Sequence, residues 1–128
     1  MKILQPDGWP PPKGFANGIL AEGRTIWVAG QIGMDATGAI APGLAAQVEQ
    51  ALANIAAVLA TAGARPDQVV RLTWYLRSIA DYETDLRAIG AAYRRVMGRH
   101  FPAMTVVEIA RLVEPKALVE IEATAVLP

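Results

Sequence analysis

Three glutamates sit inside stretches whose other residues favour strands. Glu108 closes the run Ala103-Met104-Thr105-Val106-Val107, and Glu120 and Glu122 alternate with Val119, Ile121 and Ala123. Strand geometry puts Glu120 and Glu122 on one face and their apolar neighbours on the other, and puts Glu108 on the face of Met104 and Val106. A carboxylate among apolar residues must be paired, neutralised or put to use. Two readings are open. One is a solvated sheet face or an ion pair with Arg71 or Arg111. The other is a desolvated carboxylate of raised pKa that positions or deprotonates water. His100 is the only histidine, so one chain cannot assemble a multi-histidine metal site. Its place in the loop before Phe101-Pro102 suits a cation that satisfies helix-end carbonyls. Trp27, Trp74 and Tyr75 read as core or oligomer-interface aromatics. Gly30-Gln31-Ile32-Gly33 lacks the lysine and helix start of a phosphate loop.

The composition narrows the function classes further. The 128 residues are 53% hydrophobic with zero formal net charge, which favours one ordered domain with its own core. No basic face is forced, so binding to nucleic acid through phosphate neutralisation is not expected. There is no cysteine, which removes disulfides, thiol catalysis and cysteine-held metals and fits a reducing compartment. The start, Met1-Lys2-Ile3-Leu4-Gln5-Pro6, lacks the apolar core of a signal peptide. The longest apolar run, 55–62, is far short of the roughly 20 residues a membrane span needs. A cytoplasmic protein without membrane contact is the expectation.

Elements that could carry these residues follow in order. Residues 1–14 hold Pro6, Pro10, Pro11 and Pro12 and read as an extended surface lead-in to a single domain. Strands are expected over 15–21 and 25–32 around a turn at Gly23, the second covered on both faces. Leu44, Val48, Leu52, Ile55 and Leu59 recur at three- and four-residue steps and predict a helix over 44–62 stopped by Gly63, with Gln47, Gln50 and Asn54 off its apolar stripe. The β-branched and aromatic stretch 68–78 predicts a central strand. Leu86, Ile89, Tyr93 and Met97 predict a helix over 82–97 capped by Asp81, with Arg87, Arg94 and Arg95 facing water. The last two strands, within 101–112 and 118–123, read as neighbours joined by a short loop. Two helices cannot cover both faces of a mixed sheet, so the bare face predicts a homo-oligomer.

Gly30-Gln31-Ile32, Ala62-Gly63-Ala64, the stretch 69–76, Tyr93, Phe101-Pro102-Ala103 and Val119-Glu120-Ile121-Glu122-Ala123 occur here in this order. Together they resemble the Rid family, also called RidA/YjgF or endoribonuclease L-PSP. The resemblance runs over about 15–126, nearly the whole chain. It implies an α+β, chorismate-mutase-like fold, a mixed sheet on two helices, which closes into a barrel as a homotrimer with small-molecule clefts at the subunit boundaries. It also implies hydrolysis of reactive enamines and imines to 2-keto acids and ammonia, with no cofactor and no metal. By this resemblance Glu120 stands at a water-positioning glutamate and Tyr93 at a tyrosine of the second helix. Phe15 replaces a tyrosine, and Met104 occupies the place of an arginine that grips the substrate carboxylate. A thioether cannot neutralise a carboxylate. Two readings follow: a hydrolase for a less polar intermediate, with Phe15 and Met104 lining the pocket and Gln31, Thr105 or Arg111 as polar anchors; or a non-catalytic binding or regulatory trimer.

Overall fold

The structure, a computed structural model, describes residues 1–128. Its strands are β1 (Lys2–Leu4), β2 (Gly18–Leu20), β3 (Arg24–Ile32), β4 (Val69–Leu76), β5 (Ala103–Glu108) and β6 (Val119–Leu127), and its helices are α1 (Leu44–Ala60), α2 (Ile79–Thr84) and α3 (Leu86–Met97). The main sheet has the order β3-β6-β4-β5, with β4 parallel to β5 and antiparallel to β6. Parallel pairing requires a crossover, and α2 and α3 supply it.

Burial follows the alternation along β6. Val119, Ile121, Ala123 and Ala125 are buried against the helices with Leu72, Trp74 and Leu76 of β4, and the core is completed by Val48, Leu52, Ile55 and Leu59 of α1. Gly63, at φ 73°, turns the chain out of α1, and Ala64 N–H donates back to Leu59 O at 3.0 Å. Both long helices lie on the same side of the sheet, and the other face is uncovered within the chain. Its residues include Trp27, which is 78% exposed. β3 is therefore an edge strand with one bare face, not a strand covered on both.

Four further expectations are corrected. The lead-in is not wholly unpaired: β1 pairs antiparallel with β2, so the expected strand 15–21 shrinks to three residues in a separate two-stranded sheet. The last two strands are not neighbours. The more apolar β4 takes the centre and lies between them, and their connection is pinned at the end of β4 by Ile109 N–H to Leu76 O, 2.9 Å, and Arg77 N–H to Leu118 O, 3.1 Å. The second helix starts earlier and is broken. Ser78 caps it by accepting from Asp81 N–H at 3.1 Å, and Thr84 hydroxyl donates back to Ala80 O at 2.8 Å, a competing bond that bends helices just before the non-helical Asp85. Gln47 is not off the buried stripe: it is 3% exposed because its amide donates to Ala41 O and Lys116 O and accepts from Leu118 N–H at 2.7 Å.

Candidate active-site cleft

One cleft lies between the α2–α3 arm and the β5 edge. The segment before β2 closes it: Ala16 N–H donates to Pro102 O at 3.0 Å and makes a parallel bridge with Ala103. That contact sets Phe15 beside Met104. The cavity measures about 490 Å3, and Phe15, Trp74, Tyr93, Phe101, Met104 and Val106 are among its lining residues. One wall is a continuous aromatic stack. Trp74 and Tyr93 have ring centroids 6.3 Å apart at 24°, and Tyr93 and Phe101 lie 5.4 Å apart at 7°. Tyr82 meets Trp74 edge-on. The indole N–H of Trp74 is buried without an acceptor in the chain.

Tyr93 lends this cleft its ring, and its hydroxyl is engaged elsewhere. The hydroxyl donates to His100 O at 2.5 Å. His100 in turn sets its Nε2 2.6 Å from Val69 O. A carbonyl only accepts, so that nitrogen carries the proton. The expectation that His100 satisfies helix-end carbonyls is corrected: its ring meets the carbonyl of Val69, at the start of β4. Burial pushes the Tyr93 phenol well above its ordinary value of 10.0. Its raised value means that the folded state holds this proton more tightly than the unfolded chain. The associated stability is complete below about pH 10 and falls as pH rises beyond it. Tyr93→Phe is expected to flatten the decline in urea-unfolding free energy above pH 10 and to cost about 1 kcal/mol at pH 7. An unchanged alkaline slope would count against this account.

The three strand glutamates divide by occupation. Glu108 accepts from Ile79 N–H at 3.1 Å at the start of α2. Glu122 accepts from Tyr75 hydroxyl, a bond that raises the Tyr75 pKa. Glu120 makes no hydrogen bond or ion pair within the chain; neither Arg71 nor Arg111 pairs with any of the three. Glu120 lies on the uncovered sheet face, where its side chain folds over Gly30. A Cβ at Gly30 would stand 2.6 Å from Glu120 Oε1. The close approach occurs at a β-bulge between Val28 and Gln31, where the β3–β6 register shifts.

The residues singled out in the sequence thus fall into separate groups. Phe15, Tyr93 and Met104 line the cleft. Glu120 and Gln31 sit at the bulge, with the Gln31 amide donating locally to Ala29 O at 3.1 Å. Thr105, exposed, alternates with Met104 and points to the uncovered face. Arg111 lies in the loop after β5 beside Arg77 and Glu114. Met104 pairs with Leu72, whose side chain is in the core, whereas Glu120 pairs with Tyr75 on the uncovered face. Within one chain, therefore, Met104 and Glu120 face opposite sides of the sheet. Lys13, Trp74, Tyr82, Leu86 and Arg94 also line the cleft and were not foreseen. Arg94 follows Tyr93 directly, is exposed, and sets its Nη1 over Gly90, 3.5 Å from where a Cβ there would stand. No three His, Asp or Glu side chains cluster as a metal site would require, and no helix is long and apolar enough to cross a membrane.

The chain is similar in sequence and fold to known proteins. Residues 10–127 match the family model described as Endoribonuclease L-PSP. A RutC family protein of Synechocystis sp., slr0709, is 36% identical over 100% of this chain and 98% of its own length. A Bos taurus protein named 2-iminobutanoate/2-iminopropanoate deaminase is 38% identical over 88% of this chain and 79% of its own length. Among solved structures, the Rid family protein YyfB from Yersinia pestis superposes with a TM-score of 0.83 at 36% identity, covering 98% of both chains. With the α+β architecture of a mixed sheet backed by helices on one face, these matches identify the chain as a member of the Rid family, also named for YjgF and for endoribonuclease L-PSP.

Proposed function

We propose that this protein hydrolyses a small imine or enamine to the carbonyl compound and ammonia, acting in the cytoplasm as a homotrimer with its clefts between copies. The observation that carries the reading is Glu120. Of the three strand carboxylates it alone has no partner in the chain, while Glu108 and Glu122 are bound. In the reaction, Glu120 takes a proton from water as the water oxygen bonds to the imine carbon. The nitrogen takes up protons and departs as ammonia, and the carboxylate ends as it began. Relatives in the family are named as deaminases of 2-iminobutanoate and 2-iminopropanoate, which supports this reaction class.

The oligomer follows from the faces. The cleft opens along the β5 edge, and Glu120 lies on the uncovered face beside β3, the opposite edge. A single ligand meets both only if a second copy supplies the glutamate. Such a head-to-tail contact uses two different patches and closes as a ring. It would also cover Trp27 and Val107, which are exposed in the isolated chain. Neither a metal nor a cofactor is needed, and a formal net charge of zero gives no support to a nucleic-acid partner.

Met104 sets the ligand's polarity. Lacking a guanidinium at this position, the cleft forgoes a charge-assisted contact worth about 1.5–3 kcal/mol, roughly tenfold or more in affinity. Imines generated in situ, in competition with semicarbazide, test the reading. Wild type should be slow on 2-iminopropanoate, and Met104→Arg should gain roughly tenfold. Glu120→Gln should lower kcat on the preferred imine by about a hundredfold or more, with the trimer mass unchanged by light scattering. A monomeric mass, or full activity in Glu120→Gln, would refute the proposal. Ligand binding without turnover of any imine would instead favour a binding protein of the same fold.

A further inference from the structure

We infer that the cleft selects an imine or enamine with an aryl body whose carboxylate is held at the mouth by Arg94 and Lys13, not on β5. This rests on the hydrolase reading and names its substrate class. Three features of the cavity carry it.

The first is size. The cavity of about 490 Å3 falls within the usual range for small-molecule sites. A site that holds one water needs only about 10–15 Å3 on this measure, so a three-carbon imino acid leaves most of the cavity unfilled. Gly90 on α3 enlarges it: a Cβ there would meet only Arg94 Nη1, 3.5 Å away. A residue with any larger side chain would project into this space.

The second is the lining. The Trp74–Tyr93–Phe101 stack gives one wall, Phe15 adds a further aromatic face, and Met104 and Val106 form the β5 side. Aromatic faces and a polarisable thioether suit a flat ring. Nothing in that inner region can neutralise a carboxylate.

The third is charge. The only ionic side chains lining the cavity are Lys13 and Arg94, both cationic, and no carboxylate lines it. The two ion pairs of the chain are Arg65–Asp67 and Arg95–Glu49, so Lys13 and Arg94 are both unpaired. The Arg94 guanidinium folds back over Gly90, which holds it at the rim of the cavity while it stays open to solvent. An amphipathic acid, with its ring inside and its anion outside, matches this polarity. The anion anchor thus stands on α3 and the lead-in, on the opposite side of the ligand from Met104.

Calorimetric titration of the intact protein with phenylpyruvate, pyruvate and phenylacetone tests this. These carbonyl compounds are stable, so binding is read without turnover. The hydrolase reading, by contrast, fails or stands in the imine assay alone. Phenylpyruvate should bind at least about tenfold more tightly than pyruvate. Replacing both cations, Lys13→Gln with Arg94→Gln, should weaken phenylpyruvate about tenfold and leave phenylacetone unchanged. Gly90→Leu should abolish the preference for phenylpyruvate over pyruvate. Equal affinity for phenylpyruvate and pyruvate, no binding of phenylpyruvate at millimolar concentration, or an unaltered phenylpyruvate affinity in the double variant would overturn the inference.

Discussion

Gly30→Ala is expected to lower turnover about a hundredfold while the melting temperature stays within a degree or two of wild type. The added Cβ would stand 2.6 Å from Glu120 Oε1, 2.8 Å from its Cδ and 2.9 Å from its Cγ. All three atoms belong to the outer part of a side chain that makes no hydrogen bond in the chain. It can rotate aside at little cost to folding, and alanine in a strand recovers about 0.5–1 kcal/mol over glycine. The cost falls on chemistry instead, because a general base displaced by about 1 Å no longer meets its water. Steady-state kinetics on the preferred imine, alongside calorimetric melting, checks both halves. Wild-type turnover in a folded Gly30→Ala protein would show that the close approach of Gly30 and Glu120 has no catalytic purpose.

Gly33→Ala, three residues on, should do the reverse. Its Cβ would also stand 2.6 Å from a neighbour, but that neighbour is Gln47 Cα, in the backbone of α1. Gln47 cannot step aside. It is buried and ties Ala41, Lys116 and Leu118 to the helix by its amide. Either α1 moves off the end of β3 or those bonds stretch. Overpacking of this kind costs about 1–3 kcal/mol, and each disturbed hydrogen bond adds about 1 kcal/mol. A total near 3 kcal/mol is expected, lowering the melting temperature by about 10 °C or more. Urea unfolding with an unchanged slope would give the free energy directly. A loss below about 1 kcal/mol would mean that the junction is looser than it looks.

The pair shows what kind of information sequence carries. Both glycines stand in one tetrapeptide, and nothing in their local pattern separates them. The difference lies in what each one meets: the end of a free side chain from β6, or the backbone of a helix. Arg94 makes the same point. Its place on the polar side of a helical stripe predicts exposure, and it is exposed, yet it also lines the cleft. Gln47 is the opposite case, a polar residue buried because loops distant in sequence need its amide.

The sequence by itself determined most of the elements and the family. Periodicity located α1, β4 and the face of β6, since these depend on residues a few positions apart. The bare sheet face followed from counting helices. Tertiary structure decided which strands are neighbours and which side chains share a site. Met104 and Glu120 each have a face fixed by alternation within their own strands, but the relation between those faces depends on the register of both strands with β4. Register is a property of long-range pairing and packing. It sends the thioether into the cleft and the carboxylate to the other side of the sheet, a relation that neither stretch of sequence contains alone.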